Sequence, residues 1–169
     1  IYSVCGKGCV CSERGNQRPF RAPHYSTSIP ALIGGGSGDS ILPGEVSLAH
    51  NGVLFLDEFA QLPRSVIESL RGPLEDRKVV VSRLRTKVEF PASFMLVAAS
   101  NPCPCGYYGE GDRCTCSSSR REEYFSKLSG PIMDRMDLQV FVRRVQSLNI
   151  TEQGRESSAV IADRVRKAR

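Results

Sequence analysis

Val53-Leu54-Phe55-Leu56-Asp57-Glu58 is the stretch on which the reading of this chain turns. Its four apolar residues suit a strand buried on both faces, as a parallel sheet requires. Two carboxylates follow at once, at the C-terminal end of that strand. Ligands of open α/β sheets bind outside the carboxyl ends of their strands. A carboxylate placed there can hold Mg2+ on the phosphates of a nucleotide. Its neighbour points elsewhere and can orient or deprotonate an attacking water. A pair of solvated acids capping the next helix is the competing reading, and the surrounding sequence decides between them.

Working outward, Phe94 to Ala99 reads as a second buried strand, stopped by Asn101-Pro102. If the two strands are parallel neighbours, the Asn101 amide lies beside Asp57 and Glu58, within reach of a γ-phosphate and of the water. Alone, Asn101 would be read as a turn residue before proline. Arg135, just before the apolar run from Leu138, can reach a neighbouring subunit's nucleotide as an arginine finger. Its bland alternative is a surface salt bridge to Asp134 or Asp137.

Other elements follow from pattern. Arg18 to Arg21 reads as a short extended segment, Ser28 to Ile33 as a short helix, and Gly34 to Gly38 as a loop. Val66, Ile67, Leu70 and Leu74 recur at helical spacing over Pro63 to Leu74, with Gly72-Pro73 expected to kink or end that helix. Lys78 to Phe90 reads as a hairpin turning at Leu84 to Lys87. A Cys/Gly loop leads to a helix from Arg121 to Leu128, and Leu138 to Val145 reads as a strand. Strands alternating with helices give an α/β class.

Composition sets bounds. The chain has 169 residues, enough for one α/β domain with a core. No apolar run approaches the ~20 residues that span a bilayer, and no signal peptide is visible, so a cytoplasmic, non-membrane protein is expected. The net charge of +5 permits a polyanionic partner without requiring one. Seven cysteines without a secretory signal point to thiols or metal ligands rather than to disulfides.

The acid pair, the strand-end Asn and the later Arg, in this order and spacing, resemble the AAA+ ATPases: Asp57-Glu58 looks like Walker B, Asn101 like sensor 1 and Arg135 like the arginine finger. Arg18-Pro19-Phe20-Arg21-Ala22-Pro23-His24, Pro43-Gly44-Glu45-Val46-Ser47-Leu48-Ala49-His50-Asn51-Gly52, Asn101-Pro102-Cys103-Pro104-Cys105-Gly106 and Ser129-Gly130-Pro131 narrow the match. They resemble the magnesium-chelatase-like proteins of the ComM/YifB competence group, from Arg18 to Arg169. The resemblance implies a ring-forming ATPase, a hexamer with ATP and Mg2+ between subunits, acting on DNA as a branch-migration motor. It implies Asp57 for Mg2+, Glu58 as base, Asn101 as water-positioning amide and Arg135 acting in trans. A chelatase-type motor for metal insertion into a tetrapyrrole and a zinc-stabilised nucleic-acid-binding module without ATPase activity are the alternatives. The family also implies that Gly34–Glu45 and the hairpin face the pore. There Lys78, Arg83, Arg85 and Lys87 can meet phosphates without reading sequence, or can simply keep a hairpin edge soluble.

The phosphate-binding string Gly-x4-Gly-Lys-Ser/Thr does not occur. The expected fold is therefore an incomplete AAA+ P-loop core whose parallel sheet lacks its first, central strand. A sheet with a gap, or one rearranged or filled by another chain, weak or no ATP binding, and no activity by the chain alone are expected with it. Residues 1–145 read as this partial core, and 146–169 as a linker and the start of a helical lid. Finally, Cys103-Pro104-Cys105 and Cys114-Thr115-Cys116 form two close pairs with eight residues between them. Four thiolates can bind tetrahedral Zn2+, although two-residue spacers are commoner than these one-residue spacers. A loop with free thiols is the alternative. Cys5, Cys9 and Cys11 receive no role, and His24 and His50 read as structural residues, with metal ligation as the alternative.

Overall fold

The computed structural model describes residues 18–36, 40–83, 86–109, 111–128, 130–142 and 156–168. Cys5, Cys9, Cys11 and Arg85, and the Arg83 side chain, lie outside the described residues, as do residues 143–145. The chain divides into two compact units, Ile1–Asp137 and Leu138–Arg169.

In the first unit, three strands build a parallel sheet: β1 (Phe20–Arg21), β4 (Val53–Leu56) and β7 (Met95–Ala98), in the order β1-β4-β7. Between β1 and β4 lie α1 (Ile29–Ile33), β2 (Gly34–Gly35), β3 (Leu42–Pro43) and α2 (Glu45–Leu48). Between β4 and β7 lie a 3-10 turn at Phe59–Gln61, α3 (Arg64–Ser69), α4 (Arg71–Asp76) and a hairpin of β5 (Lys78–Arg83) and β6 (Thr86–Pro91). After β7 come a 3-10 turn at Gly111–Arg113, α5 (Ser118–Ser126) and α6 (Gly130–Met133). The class is α/β, as expected. Among the described strands, β4 hydrogen-bonds directly to both β1 and β7, and β7 ends the sheet as an edge.

Parallel register decides which side chains share a face. Leu54 pairs with Leu96 and Leu56 with Ala98; Val53 pairs with Met95 and Phe55 with Val97. The Leu54 and Leu56 face is closed, packed into a cluster with Leu32, Val46, Phe59, Ile67 and Leu70. The other face is open: Phe20 stacks on Phe55 with ring centroids 6.3 Å apart, and Phe20 is 64% and Met95 59% exposed. The expectation that Phe94 to Ala99 forms a buried strand is corrected here. An edge strand with helices on one side only leaves its outward residues in water, and nothing in an apolar run encodes that.

Local chemistry sets the elements. Ser28 caps α1 by accepting from the Ala31 N–H. Gly52 is required where β1 and β4 meet, since a Cβ there would lie 1.9 Å from the Pro19 carbonyl oxygen. Gly44 is hemmed in likewise, its Cβ position 2.4 Å from the Leu32 carbonyl oxygen. Gly34 and Gly35, read as loop, pair antiparallel with Pro43 and Leu42. Pro73 does not end the helix of Pro63 to Leu74. It sits in the first turn of α4, where its missing N–H is harmless, and the interruption falls at Leu70, beside the carbonyl of Ser69 four residues before the proline. The helix of Arg121 to Leu128 begins earlier, at Ser118, because Ser117 accepts from the Arg120 N–H as its cap.

In the second unit, α7 (Ser158–Ala168) carries an i,i+4 pair between Asp163 and Lys167, 2.9 Å apart. Residues 138–142 form no strand: Leu138 is 86% and Val142 84% exposed. The apolar pattern is present, but a strand also needs a hydrogen-bonding partner, and none is paired with these residues among those described. Among the described residues, no helix is long and apolar enough to cross a membrane.

Candidate active site

The acid pair sits where the core ends. Leu56 is 1% exposed, and the next residue, Asp57, is exposed at the rim of the sheet. The Asp57 carboxylate accepts from the Glu58 N–H at 2.8 Å. Glu58 takes the left-handed conformation, φ 50 and ψ 39, before the turn at Phe59–Gln61. A non-glycine residue held there costs about 1–2 kcal/mol, and such strain gathers at functional sites.

β7 delivers Asn101 to the same rim. The Ala99 N–H donates to the Leu56 carbonyl at 2.9 Å, and the Phe59 N–H donates to the Ala99 carbonyl at 2.8 Å. The chain leaving β4 is thus laced to the chain leaving β7 on either side of Asp57 and Glu58, and Asn101 follows two residues later, exposed. Ser100 Oγ meets the Tyr124 hydroxyl of α5 at 3.3 Å.

Arg135 lies elsewhere in the contact network. Its guanidinium pairs with Glu75 of α4 and donates to the Pro131 carbonyl, while Nε is buried without a partner. The partner is neither Asp134 nor Asp137. Glu75 escapes a sequence reading because it is remote along the chain and sits in a helix where an acid is unremarkable.

The hairpin's outward register gathers Lys78, Val80, Ser82, Lys87 and Glu89, while Val79, Val81 and Phe90 turn into the core. Lys78 is paired with Glu89 at 3.1 Å, so part of its charge is already answered. Lys87 is exposed.

The cysteine loop closes on itself. Cys103, Cys105, Cys114 and Cys116 bring their sulfurs within 4.8 Å of one another, a set that can hold a metal ion. The Tyr107 backbone N–H, and then the Cys103 thiol, lower the Cys105 thiol to about 6. Desolvation pushes Cys116 up to about 11. Arg121 donates to the Cys116 carbonyl at 2.7 Å and lies over the Tyr108 ring, 4.7 Å from its centroid. Beside the loop is an open groove of about 310 Å3, lined by Gln61, Pro104, Arg120, Glu123, Tyr124 and Lys127. Neither acid of the strand end enters it.

A parallel sheet with paired carboxylates at one strand end and an amide at the next defines a partial core of the AAA+ P-loop class. Residues 1–150 match the family described as "Magnesium chelatase, subunit ChlI", and the chain belongs to that family. Within it, the chain is similar to "Competence protein ComM" of Haemophilus influenzae, 48% identical over 155 residues, 90% of this chain and 30% of the relative. It is similar to "Uncharacterized protein YifB" of Escherichia coli, 47% identical over 160 residues, 93% of this chain and 31% of the relative. A more distant likeness, 25% over 103 residues, is to "Archaeal Lon protease" of Methanocaldococcus jannaschii. The chain therefore spans about a third of the length of the first two relatives.

Proposed function

We propose that this chain carries the hydrolytic half of an ATP site in a ring-forming, cytoplasmic AAA+ motor that moves DNA. The observation that carries the reading is the register of β4 on β7, Leu56 opposite Ala98, which sets Asp57, Glu58 and Asn101 along one rim. Asp57 holds Mg2+ on the nucleotide, through water. Glu58 takes the proton of the attacking water, Asn101 orients that water, and Arg135 of a neighbouring subunit meets the charge that develops on the phosphoryl group. Residues 1–145 act as the core, and 146–169, with α7, as the start of a lid. Having no Gly-x4-Gly-Lys-Ser/Thr string, the 169 residues bind ATP weakly by themselves.

DNA as the substrate is supported by similarity to a competence protein and by the cations at the hairpin, Lys78, Arg83, Arg85 and Lys87. The match to a chelatase family model supports a second reading, a motor for metal insertion into a tetrapyrrole. The test is ATP turnover by a form of the protein that includes a phosphate-binding loop, with and without branched DNA. DNA stimulation supports the first reading. Stimulation by a chelatase partner, with indifference to DNA, supports the second. DNA binding that needs no ATP and is lost on chelation would instead make the chain a zinc-stabilised binding module.

A further inference from the structure

The loop from Cys103 to Cys116 joins β7 to α5 with almost no apolar interior. Among its described residues only Cys103 and Cys116 are buried, at 0% and 7% exposure. The only regular structure among those residues is the short 3-10 turn at Gly111–Arg113. Tyr107 and Tyr108 stand 42% and 51% exposed. Loops of this length without structure of their own are uncommon, and something must offset the entropy of ordering them. A hydrophobic cluster does not do it here.

The sulfurs do fit one agent. Cys103 and Cys105 are 3.3 Å apart, Cys103 and Cys114 3.8 Å, and Cys105 and Cys114 3.7 Å. A zinc ion bonded to four thiolates at about 2.3 Å sets its sulfurs about 3.8 Å apart along each edge of the tetrahedron; the three edges among Cys103, Cys105 and Cys114 lie close to that spacing, and the Cys116 sulfur stands within 4.8 Å of each. Four thiols crowded without a cation cannot all ionise, whereas a dication favours the deprotonated form of each. Ligands at 103, 105, 114 and 116 would pin both ends of the loop to one point.

We infer that Cys103, Cys105, Cys114 and Cys116 form a structural zinc site that fastens the end of β7 to α5. The fastening has a route. Pro102 alone separates Asn101 from the first ligand, and Ser117, the cap of α5, follows the last. Arg121 of α5 donates to the Cys116 carbonyl, and Tyr124 of α5 meets Ser100. A metal closing the loop therefore holds Ser100 and Asn101 from both directions. With all four positions of the tetrahedron filled by protein, the site is closed to substrate and serves position rather than chemistry. Only the statement that Asn101 orients water rests on the proposed ATPase reading; the metal site stands without it.

The experiment is metal analysis of the protein purified from zinc-supplemented medium, beside two variants. One is the double variant Cys105→Ser/Cys114→Ser; the other replaces Cys5, Cys9 and Cys11 with Ser. About one equivalent of zinc in the parent and in the second variant, and none in the first, is expected. Zinc absent from the parent, or lost from the second variant and kept in the first, overturns the site. Should the double variant fail to fold, cobalt loaded into the parent protein gives the answer without mutation. Tetrathiolate ligation shows as intense thiolate-to-cobalt charge transfer with tetrahedral d–d bands, and an octahedral spectrum overturns it. Hydrogen exchange then reads the fastening. Stripping the metal is expected to speed exchange several-fold at the Ala99 amide and through the first turn of α5, and unchanged exchange there would reduce the metal to a local knuckle and overturn the fastening role.

Discussion

The strand end at Asp57-Glu58 and the cysteine loop after Asn101 follow two neighbouring strands, β4 and β7, yet they are held in opposite ways. The acids are carried by a core that exists without them: Leu54, Leu56, Phe59 and Ile67 are buried beneath the rim. The loop has no such support, and its four cysteines are both the site and the nearest thing it has to an interior. The lesson is that a polar site resting on an apolar core can be altered chemically without structural loss. A site that serves as its own core loses structure when it loses a ligand.

The largest expected effect concerns turnover, at a residue that also ties α6 to Glu75 of α4. In a form able to bind ATP, Arg135→Ala should lower turnover by about 10³-fold or more while nucleotide affinity is retained; a fall in affinity instead, read by titration with a nucleotide analogue, would remove it from the chemical step. Next comes the core. Leu56→Ala should destabilise the domain by about 2–5 kcal/mol, measured by denaturant unfolding, and should leave the metal content untouched. Replacing Cys105 and Cys114 should show the reverse pattern, with metal lost and the global unfolding midpoint moved less than by Leu56→Ala. Equal losses of stability would erase the contrast between the two regions. The smallest effect belongs to the hairpin. Lys87→Ala should weaken DNA binding only a few-fold and lower the salt dependence by about one counterion, a change seen in titrations at several salt concentrations. Lys78→Ala should do less, because Glu89 already answers its charge.

Much of this is legible in the sequence where the signal is local. Val53–Leu56 announces β4 because four apolar residues end on two acids, and residues 78–91 announce the hairpin because β-rich runs flank a short turn. The helix break is foreseeable but falls one turn earlier than Pro73 itself, since the proline acts on the carbonyl of Ser69. What stays hidden depends on partners. The exposure of Met95 and Val97 follows from β7 lying at an edge. Residues 138–142 have a strand's composition without a strand's neighbour among the described residues. The tie between Arg135 and Glu75 joins residues that no periodicity relates. The two Cys-x-Cys pairs are legible as pairs, but their convergence to one point requires the fold.

The central claim is that Glu58, held in a left-handed turn at the end of β4, does the chemistry. It is tested most directly by ATP turnover of the Glu58→Gln variant, in a form of the protein that includes a phosphate-binding loop, with and without branched DNA. Turnover falling by about 10²–10⁴-fold, with ATP still bound and the unfolding midpoint unchanged, is the predicted result. Turnover indifferent to the substitution would contradict the account.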